Sequence, residues 1–376
     1  MAEHALLSAS SSHRWLNCAP SARLEETFEN ETSPAAEEGS AAHALAEHKL
    51  RKFLKLKTKK PTCSNEMDFY TDAYVNYAHE LIAEAYTRSS DAQVLVEQRL
   101  DYSHYCDSGF GTGDLVIVSD GILDLVDLKY GMRRVSAEDN PQLKLYALGA
   151  LEAFGFLYDI KTVRLIICQP RLDHISTFEL SVDELIDWAE TELKPKAELA
   201  FKGEGDFISG DHCKYCRARS QCRERANANL KLAKMDFKEP DLLTDAEISK
   251  VLAQANELEA WVKDVWAYAE KEAINHGKQW SGYKVVEVKS KRKYTDEAAI
   301  ADRVLATGNY DEAQIYTKKL LCITDMTQLL GKKQFGELLD DLCIAPPSRP
   351  GLAVESDKRK EWNPIDAAKA DFEDGL

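Results

Sequence analysis

The chain has 376 residues, of which 44% are hydrophobic and 30% charged, with a formal net charge of −16. This is an ordinary globular composition, long enough for one large domain with an appendage or for two domains. No apolar run approaches the ~18 residues of a membrane span and no apolar leader is present, so a cytoplasmic, non-membrane protein is expected. The acidic balance leaves any nucleic-acid contact to local basic patches.

In a reducing compartment, nine cysteines argue for metal ligation or simple burial rather than disulfides. Residues 1–30 lead from a serine run into a short helix carrying Trp15, Leu16 and Cys18, then Pro20 and a second helix. Cys18 on its own reads as a small buried hydrophobe. Residues 35–57 read as a helix entered through Gly39-Ser40, with Ser40 as N-cap. His43 and Glu47 lie four apart and share a face; a helical histidine in isolation is more often structural than a ligand. Arg51–Lys60 holds six basic residues, a solvated helix end or a phosphate-contacting patch. Residues 66–90 form an amphipathic helix with Tyr70, Tyr74, Tyr77 and Leu81 toward the core. Val94–Leu100 is a strand carrying Glu97, which is either an acidic member of a site, a partner of Arg99, or exposed.

Two strands follow. Leu115–Val118 is opened by a Gly-Thr-Gly turn, and Ile122–Leu128 follows the turn at Ser119–Gly121. Their Leu-rich, β-branched composition suits burial on both faces. They nevertheless carry Asp114, Asp124 and Asp127, with Lys129 immediately after, and burying a lone ion costs several kcal/mol. Asp127 and Lys129, two apart, project from the same face. The pattern suits Mg²⁺ or Mn²⁺ held by carboxylates and the Leu128 carbonyl, with Lys129 orienting water or neutralising a phosphate. A hairpin whose charges face solvent reads equally well from these residues alone.

Arg133 and Arg134, which could touch a DNA backbone, precede a helix opened by Asn140-Pro141. On that helix Gln142 and Tyr146 share a face; a half-buried helix with a packed tyrosine would look the same. Val163–Gln169 is the next strand, with Cys168 inert, and Ser181–Ala200 is mostly helical with a break at Pro195. This order predicts an α/β core, a mixed central sheet flanked by helices. Cys213, Cys216 and Cys222 then appear in C-x₂-C-x₅-C spacing within a basic, loop-rich stretch, which points to a metal site lacking one ligand. His212 is a possible fourth, and Cys63, Cys106, Cys322 and Cys343 have no such neighbours. A long helix over Leu243–His276, with Thr244 and Gly277 as caps, opens a mainly helical C-terminal extension. In it Trp280–Val288 reads as a strand, Lys289–Lys293 as a basic cluster, and 294–306, 311–319 and 325–342 as helices. The tail from Pro346 is Pro-rich, then acidic, and is expected to be extended or disordered. The expected division is 1–235, 236–345 and 346–376.

Gly113-Asp114 followed by Asp127-Leu128-Lys129 resembles the PD-(D/E)XK nuclease superfamily, with its restriction-endonuclease-like core. The ordered set of Gly39-Ser40-x-x-His43, this strand pair and Gln142-x₃-Tyr146 resembles the RecB-like branch. There the resemblance implies His43 as an additional metal ligand beside Asp114, Asp127 and the Leu128 carbonyl, with Lys129, Gln142 and Tyr146 acting on substrate or pinning the lysine. In AddB and CRISPR-adaptation nucleases a cysteine near the N-terminus joins three clustered ones on a [4Fe-4S] staple. The resemblance places Cys18 with Cys213, Cys216 and Cys222, and four-cysteine Zn²⁺ is the alternative. Residues from LTDAE to KYTDE resemble the C-terminal half of a phage and prophage domain family that carries the nuclease motifs. The implied function is a Mg²⁺- or Mn²⁺-dependent DNA exonuclease of phage replication or recombination in a bacterial host, leaving 5′-phosphates. Its implied partners are single- or double-stranded DNA ends and phage single-strand annealing or replication proteins. A non-catalytic DNA-binding scaffold that retains the nuclease fold is the alternative, as is a zinc-stapled module recruiting partners through its C-terminal helices.

Overall fold

The structure is a computed structural model that describes residues 5–29, 32–233 and 244–286, with short pieces between 301 and 343. By internal contacts the chain forms two units, one of Met1–Leu243 with Gln254–Gly282, the other of Thr244–Ala253 with Tyr283–Leu376. The first unit begins with two short helices, α1 (Ser12–Asn17) and α2 (Ser21–Glu25). Two long ones follow, α3 (Pro34–Phe53) and α4 (Asn65–Arg88). Helix α3 starts earlier than the sequence suggests. Ser33 caps it by accepting the Ala36 N–H, and Pro34 occupies its first turn, where a missing N–H costs nothing. Gly39 and Ser40 therefore lie inside the helix rather than at its entrance.

Five strands make one mixed sheet in the order β1 (Gln93–Asp101), β2 (Phe110–Ser119), β3 (Gly121–Leu128), β4 (Ile160–Gln169) and β5 (His174–Ser181). β3 and β4 are parallel, joined through helix α5 (Pro141–Phe154), and the other neighbours are antiparallel. This is the mixed α/β core expected of a restriction-endonuclease-like fold. The Gly111-Thr112-Gly113 segment, which reads as a turn, is strand, paired with Leu100, Arg99 and Gln98. Gly111 is there because the Tyr146 ring lies over it: a Cβ would come 2.6 Å from that ring. The tight turn is left to Gly121, at φ 82°. Strand β5 has no counterpart in the sequence reading. Its interior alternates between half-buried and exposed residues with little apolar character, so no apolar run marks it.

The sheet is buried on both faces. Leu115, Ile117, Val126, Leu128 and Ile166 meet α3 and α4, while Val116, Val118, Leu123, Leu125 and Leu165 meet α5 and the segments beyond it. That arrangement explains the continuous apolar runs in β2 and β3. After β5 come α6 (Val182–Trp188), a π-wound segment Ala189–Leu193 and α7 (Lys194–Lys202). Pro195, which cannot donate to a helical ladder, stands where the irregular turn ends. Helix α8 (Arg223–Ala233) follows, then α9 (Asp245–His276), capped by Thr244 and ended by Gly277 at φ 66°. Arg225, 1% exposed, grips Glu257 and Asp264 of α9. Residues 280–286 form no strand, which corrects that expectation: Gly282 at φ 84° breaks the alternation. Within the second unit Lys332–Leu339 forms α10. Lys289–Lys293, Cys322, residues 311–319 apart from one helical position, and the tail from 346 lie outside the described residues. Among the described residues no helix is long and apolar enough to cross a membrane.

Candidate metal centre

The last residue pair joining β2 to β3 is Leu115 with Val126; beyond it the strands part. Continuing that register would set Asp114 directly against Asp127, an unfavourable like-charge pair. Instead the Asp114 carboxylate takes the released Leu128 N–H at 2.7 Å. Across the sheet, β1 pairs Val96 with Leu115 and Gln98 with Gly113, skipping Glu97. Glu97 has φ 52° in mid-strand, so it interrupts the ladder opposite Asp114 without shifting the register, in the left-handed region where a side chain with a Cβ is strained. That interruption shifts the alternation. Val96 faces the core beneath α4, whereas Leu100, four residues on, faces the core beneath α5. Strained backbone of this kind concentrates at functional sites.

Helix α3 brings His43 to the same place, its Nδ1 3.1 Å from Asp114. One ligand atom each from His43, Glu97 and Asp114 lie within 4.8 Å of one another. Donors on a sphere of ~2.1 Å, as around Mg²⁺, lie at most about 4.2 Å apart, so a small contraction would close this nitrogen–oxygen set on one hard cation. Burial would lower the His43 pKa, but the Asp114 carboxylate outweighs it and holds the imidazole at about 9. Burial, with Asp114 adding to it, lifts Glu97 to about 7. The mouth is lined also by Glu47, Leu128 and Tyr74, whose buried hydroxyl has no hydrogen-bond partner.

Asp127, 2% exposed, lies outside this three-residue group. Its Oδ1 accepts from Gln142 Nε2 at 3.0 Å, and its Oδ2 lies 3.0 Å from Lys129 Nζ yet has no well-aligned hydrogen bond. Such an orphaned carboxylate oxygen is costly in a protein interior and marks a place for another donor or an ion. Gln142 organises the cluster. Its carbonyl accepts from Lys129 Nζ at 3.0 Å, and its amide donates to Asp127 and to the Tyr146 hydroxyl at 3.1 Å. Burial would lower the Lys129 pKa, but Asp127, with Asp114, more than offsets it, and the side chain stays an ammonium. Asp124 belongs elsewhere. It lies on the opposite face, fully buried between Arg88 and Arg164, and is structural.

Of the residues named from sequence, His43 and Asp114 thus meet directly, and Asp127, Lys129, Gln142 and Tyr146 form a bonded chain. Leu128 contributes its N–H to Asp114. Glu97 enters the tight group, and only its being a charge inside a strand could have announced it. Cys18, Cys213, Cys216 and Cys222 line one pocket, together with Arg14, His212 and Arg225. No three of their sulfurs approach within 4.8 Å of one another. Burial would raise the Cys213 thiol, yet His212 and Arg225 beside it bring it below its usual value, whereas burial pushes Cys216 up to about 12.

The family model described as "Protein of unknown function (DUF2800)" matches residues 4–360. The chain belongs to the DUF2800 family. Among solved structures, this DUF2800 protein is similar to an exonuclease candidate from Eubacterium rectale, at 15% identity over 64% of this chain and 92% of that one, with a TM-score of 0.31. It is also similar to SSO0001, at 12% identity over 55% and 95% of the two chains, with a TM-score of 0.22. Likenesses this distant leave the reading of the DUF2800 site to its own geometry.

Proposed function

We propose that this protein is a divalent-metal-dependent nuclease that hydrolyses DNA phosphodiesters, working from DNA ends and leaving 5′-phosphates. The observation that carries the reading is the convergence of His43, Glu97 and Asp114 beside the Asp127–Lys129–Gln142–Tyr146 chain. In this reading His43, Glu97 and Asp114 hold Mg²⁺ or Mn²⁺, and Asp127 and the Leu128 carbonyl complete its surroundings. Such an ion supplies an acidified water and charge neutralisation at phosphorus. Lys129, being an ammonium, acts as a donor to a phosphate oxygen or a water rather than as a base. Gln142 fixes its direction, and Tyr146 fixes Gln142.

The proposal extends to Cys18, Cys213, Cys216 and Cys222 as ligands of a [4Fe-4S] cluster. A zinc ion with Zn–S bonds of ~2.3 Å would need sulfurs about 3.8 Å apart. Sulfurs of which no three lie within 4.8 Å of one another, in a pocket lined by arginines, fit an anionic cluster better. Iron and zinc content of anaerobically purified protein, with its visible absorbance, decides between them. The phage setting rests on the sequence resemblance alone.

The test of the central reading is digestion of end-labelled linear and circular DNA with Mg²⁺ or Mn²⁺ by wild type, Asp127→Ala and Lys129→Ala. Wild type should cut linear DNA and both variants should lose at least about a hundredfold in rate, the scale of removing a charge-stabilising group. A wild type inert on both DNA forms, or variants equal to it, would overturn the assignment.

A further inference from the structure

The segment between Lys129 and α5 is short, exposed and held unusually firmly. Gly131, Met132, Arg133 and Arg134 are all exposed, with Met132 at 60%. Beneath them Gln169, the last residue of β4, is fully buried. Its amide nitrogen donates to the carbonyls of Gly131 at 3.3 Å and Arg133 at 2.8 Å, and its oxygen accepts the Val135 N–H at 2.8 Å. One side chain thus satisfies three loop backbone groups and exhausts its own donors in doing so. At the near end Tyr130 is buried, with Arg171 stacked over its ring. At the far end the Ala137 N–H is taken by Ser176 of β5.

What this frame presents is chemically unusual for an acidic protein. Arg14, Arg23, Arg51, Arg88, Arg164, Arg171, Arg219 and Arg225 pair with carboxylates, whereas Arg99 lies over Phe110 and Arg217 reaches the Glu25 carbonyl, and Arg223 and Arg303 are in no ion pair among the described residues. The guanidinium groups of Arg133 and Arg134 have no acidic partner among the described residues. A single exposed methionine is unremarkable. An exposed methionine beside two unpaired arginines on a backbone fixed at three points is a surface whose ordering cost has been met before any ligand arrives. Three residues of chain reach at most about 11 Å, so the Met132 backbone lies within roughly three nucleotides' rise of the Lys129 backbone.

We propose that Gly131–Arg134 is a preformed ridge that seats one nucleic-acid strand beside the Lys129 cluster, Arg133 and Arg134 on neighbouring phosphates and Met132 against the face of a base. It rests on the nuclease reading only in taking Lys129 as the point where the strand is cut. Arginine contacts to phosphate set position and carry the salt dependence. The apolar side chain adds contact that salt does not weaken, since every base offers the same flat face.

The test is fluorescence anisotropy with a labelled single-stranded oligodeoxynucleotide, in EDTA so that nothing is cut, across a salt series. The full chain is compared with Met132→Ala and with Arg133→Ala/Arg134→Ala, whose exposed positions leave the fold intact. The double variant should bind about tenfold more weakly at low salt, and its log K against log salt should be shallower by about 1.4, two phosphates at ~0.7 each. Met132→Ala should weaken binding severalfold with the slope unchanged. A double variant with the wild-type slope, a Met132→Ala that binds as wild type, or a wild type that binds no strand would each overturn the ridge. Binding that depends on these residues in a protein that cuts nothing keeps the ridge and removes the nuclease. Cutting that both variants perform as well as wild type does the reverse.

Discussion

Raising the pH from 7 to 8 should tighten Mn²⁺ binding at the His43–Glu97–Asp114 group, because ligands must shed their protons before they can hold a metal. His43, held at about 9 by Asp114, is neutral in about one molecule in a hundred at pH 7 and about one in ten at pH 8, a ninefold gain. Glu97, lifted by burial to about 7, adds about a twofold gain over the same interval. Together they give about fifteenfold, or about 1.6 kcal/mol. The His43 side chain is 32% exposed, and solvent screening of the pair trims this toward about fivefold. Isothermal titration calorimetry of metal-free protein with Mn²⁺, in buffers of different ionisation enthalpy, reads both quantities. It should report about 1.5 protons released per metal at pH 7, where His43 gives about one and Glu97 about half. In His43→Gln the proton release at pH 7 should fall to less than one per metal, since only Glu97 is left to shed one. A wild-type affinity that is flat from pH 7 to 8, or a His43→Gln protein with undiminished proton release, would refute the reasoning.

Glu97→Asn should separate stability from metal binding. The folded protein holds the Glu97 proton more tightly than the unfolded chain. Its contribution is therefore full below the ordinary carboxylate range, and it is lost as pH rises through about 7. Asparagine tolerates the left-handed backbone at φ 52°, so thermal melts of metal-free protein should show the variant gaining at pH 8 and not at pH 5, while Mn²⁺ affinity drops at least tenfold. Asp124→Ala, which removes the fully buried carboxylate between Arg88 and Arg164 and leaves them only the half-exposed Glu84, should cost about 1–3 kcal/mol in denaturant unfolding with Mn²⁺ affinity unchanged. Gly111→Ala drives a methyl to 2.6 Å from the Tyr146 ring, so about 1–3 kcal/mol of stability should go. Cleavage should fall with it as Tyr146 leaves Gln142, and a Tyr146→Leu background should give no further loss of activity.

The central hairpin and the helix after it were legible because their signals are local. Apolar runs bounded by Ser119–Gly121 fix two strands, and Asn140-Pro141 fixes the start of α5. The i, i+4 pair Gln142 and Tyr146 then falls on the face that meets Lys129 and Asp127. What was not legible depends on distant residues. Ser40 has the chemistry of a cap, yet Ser33-Pro34 begins the helix about two turns earlier. Gly111 and Gly113 look like turn residues, but as strand Gly111 lies beneath the Tyr146 ring, thirty-five positions away, and Gly113 is crowded by Leu100 and Val116. Glu97 shows as a charge in a strand, but its positive φ and its approach to His43 follow from how β1 and β2 pair. Asp124 and Asp127 look alike in sequence. Their separation by three residues sends them to opposite faces, one to arginines and one to the site.

The opening helices carry a consequence for how this chain is made. Glu25 of α2 accepts the backbone N–H of Arg217 and pairs with Arg14, while Arg14 reaches the Tyr215 carbonyl and Arg23 that of Phe201. The first of these contacts spans 192 positions. During synthesis at ~5–20 residues per second the two helices would wait about 10–40 s for the segment that covers them. Trp15, 1% exposed when folding is complete, shares its core with α5 and with Ala197 and Ala200 of α7, so on stalled ribosomes its fluorescence should stay solvent-like until α7 has cleared the exit tunnel.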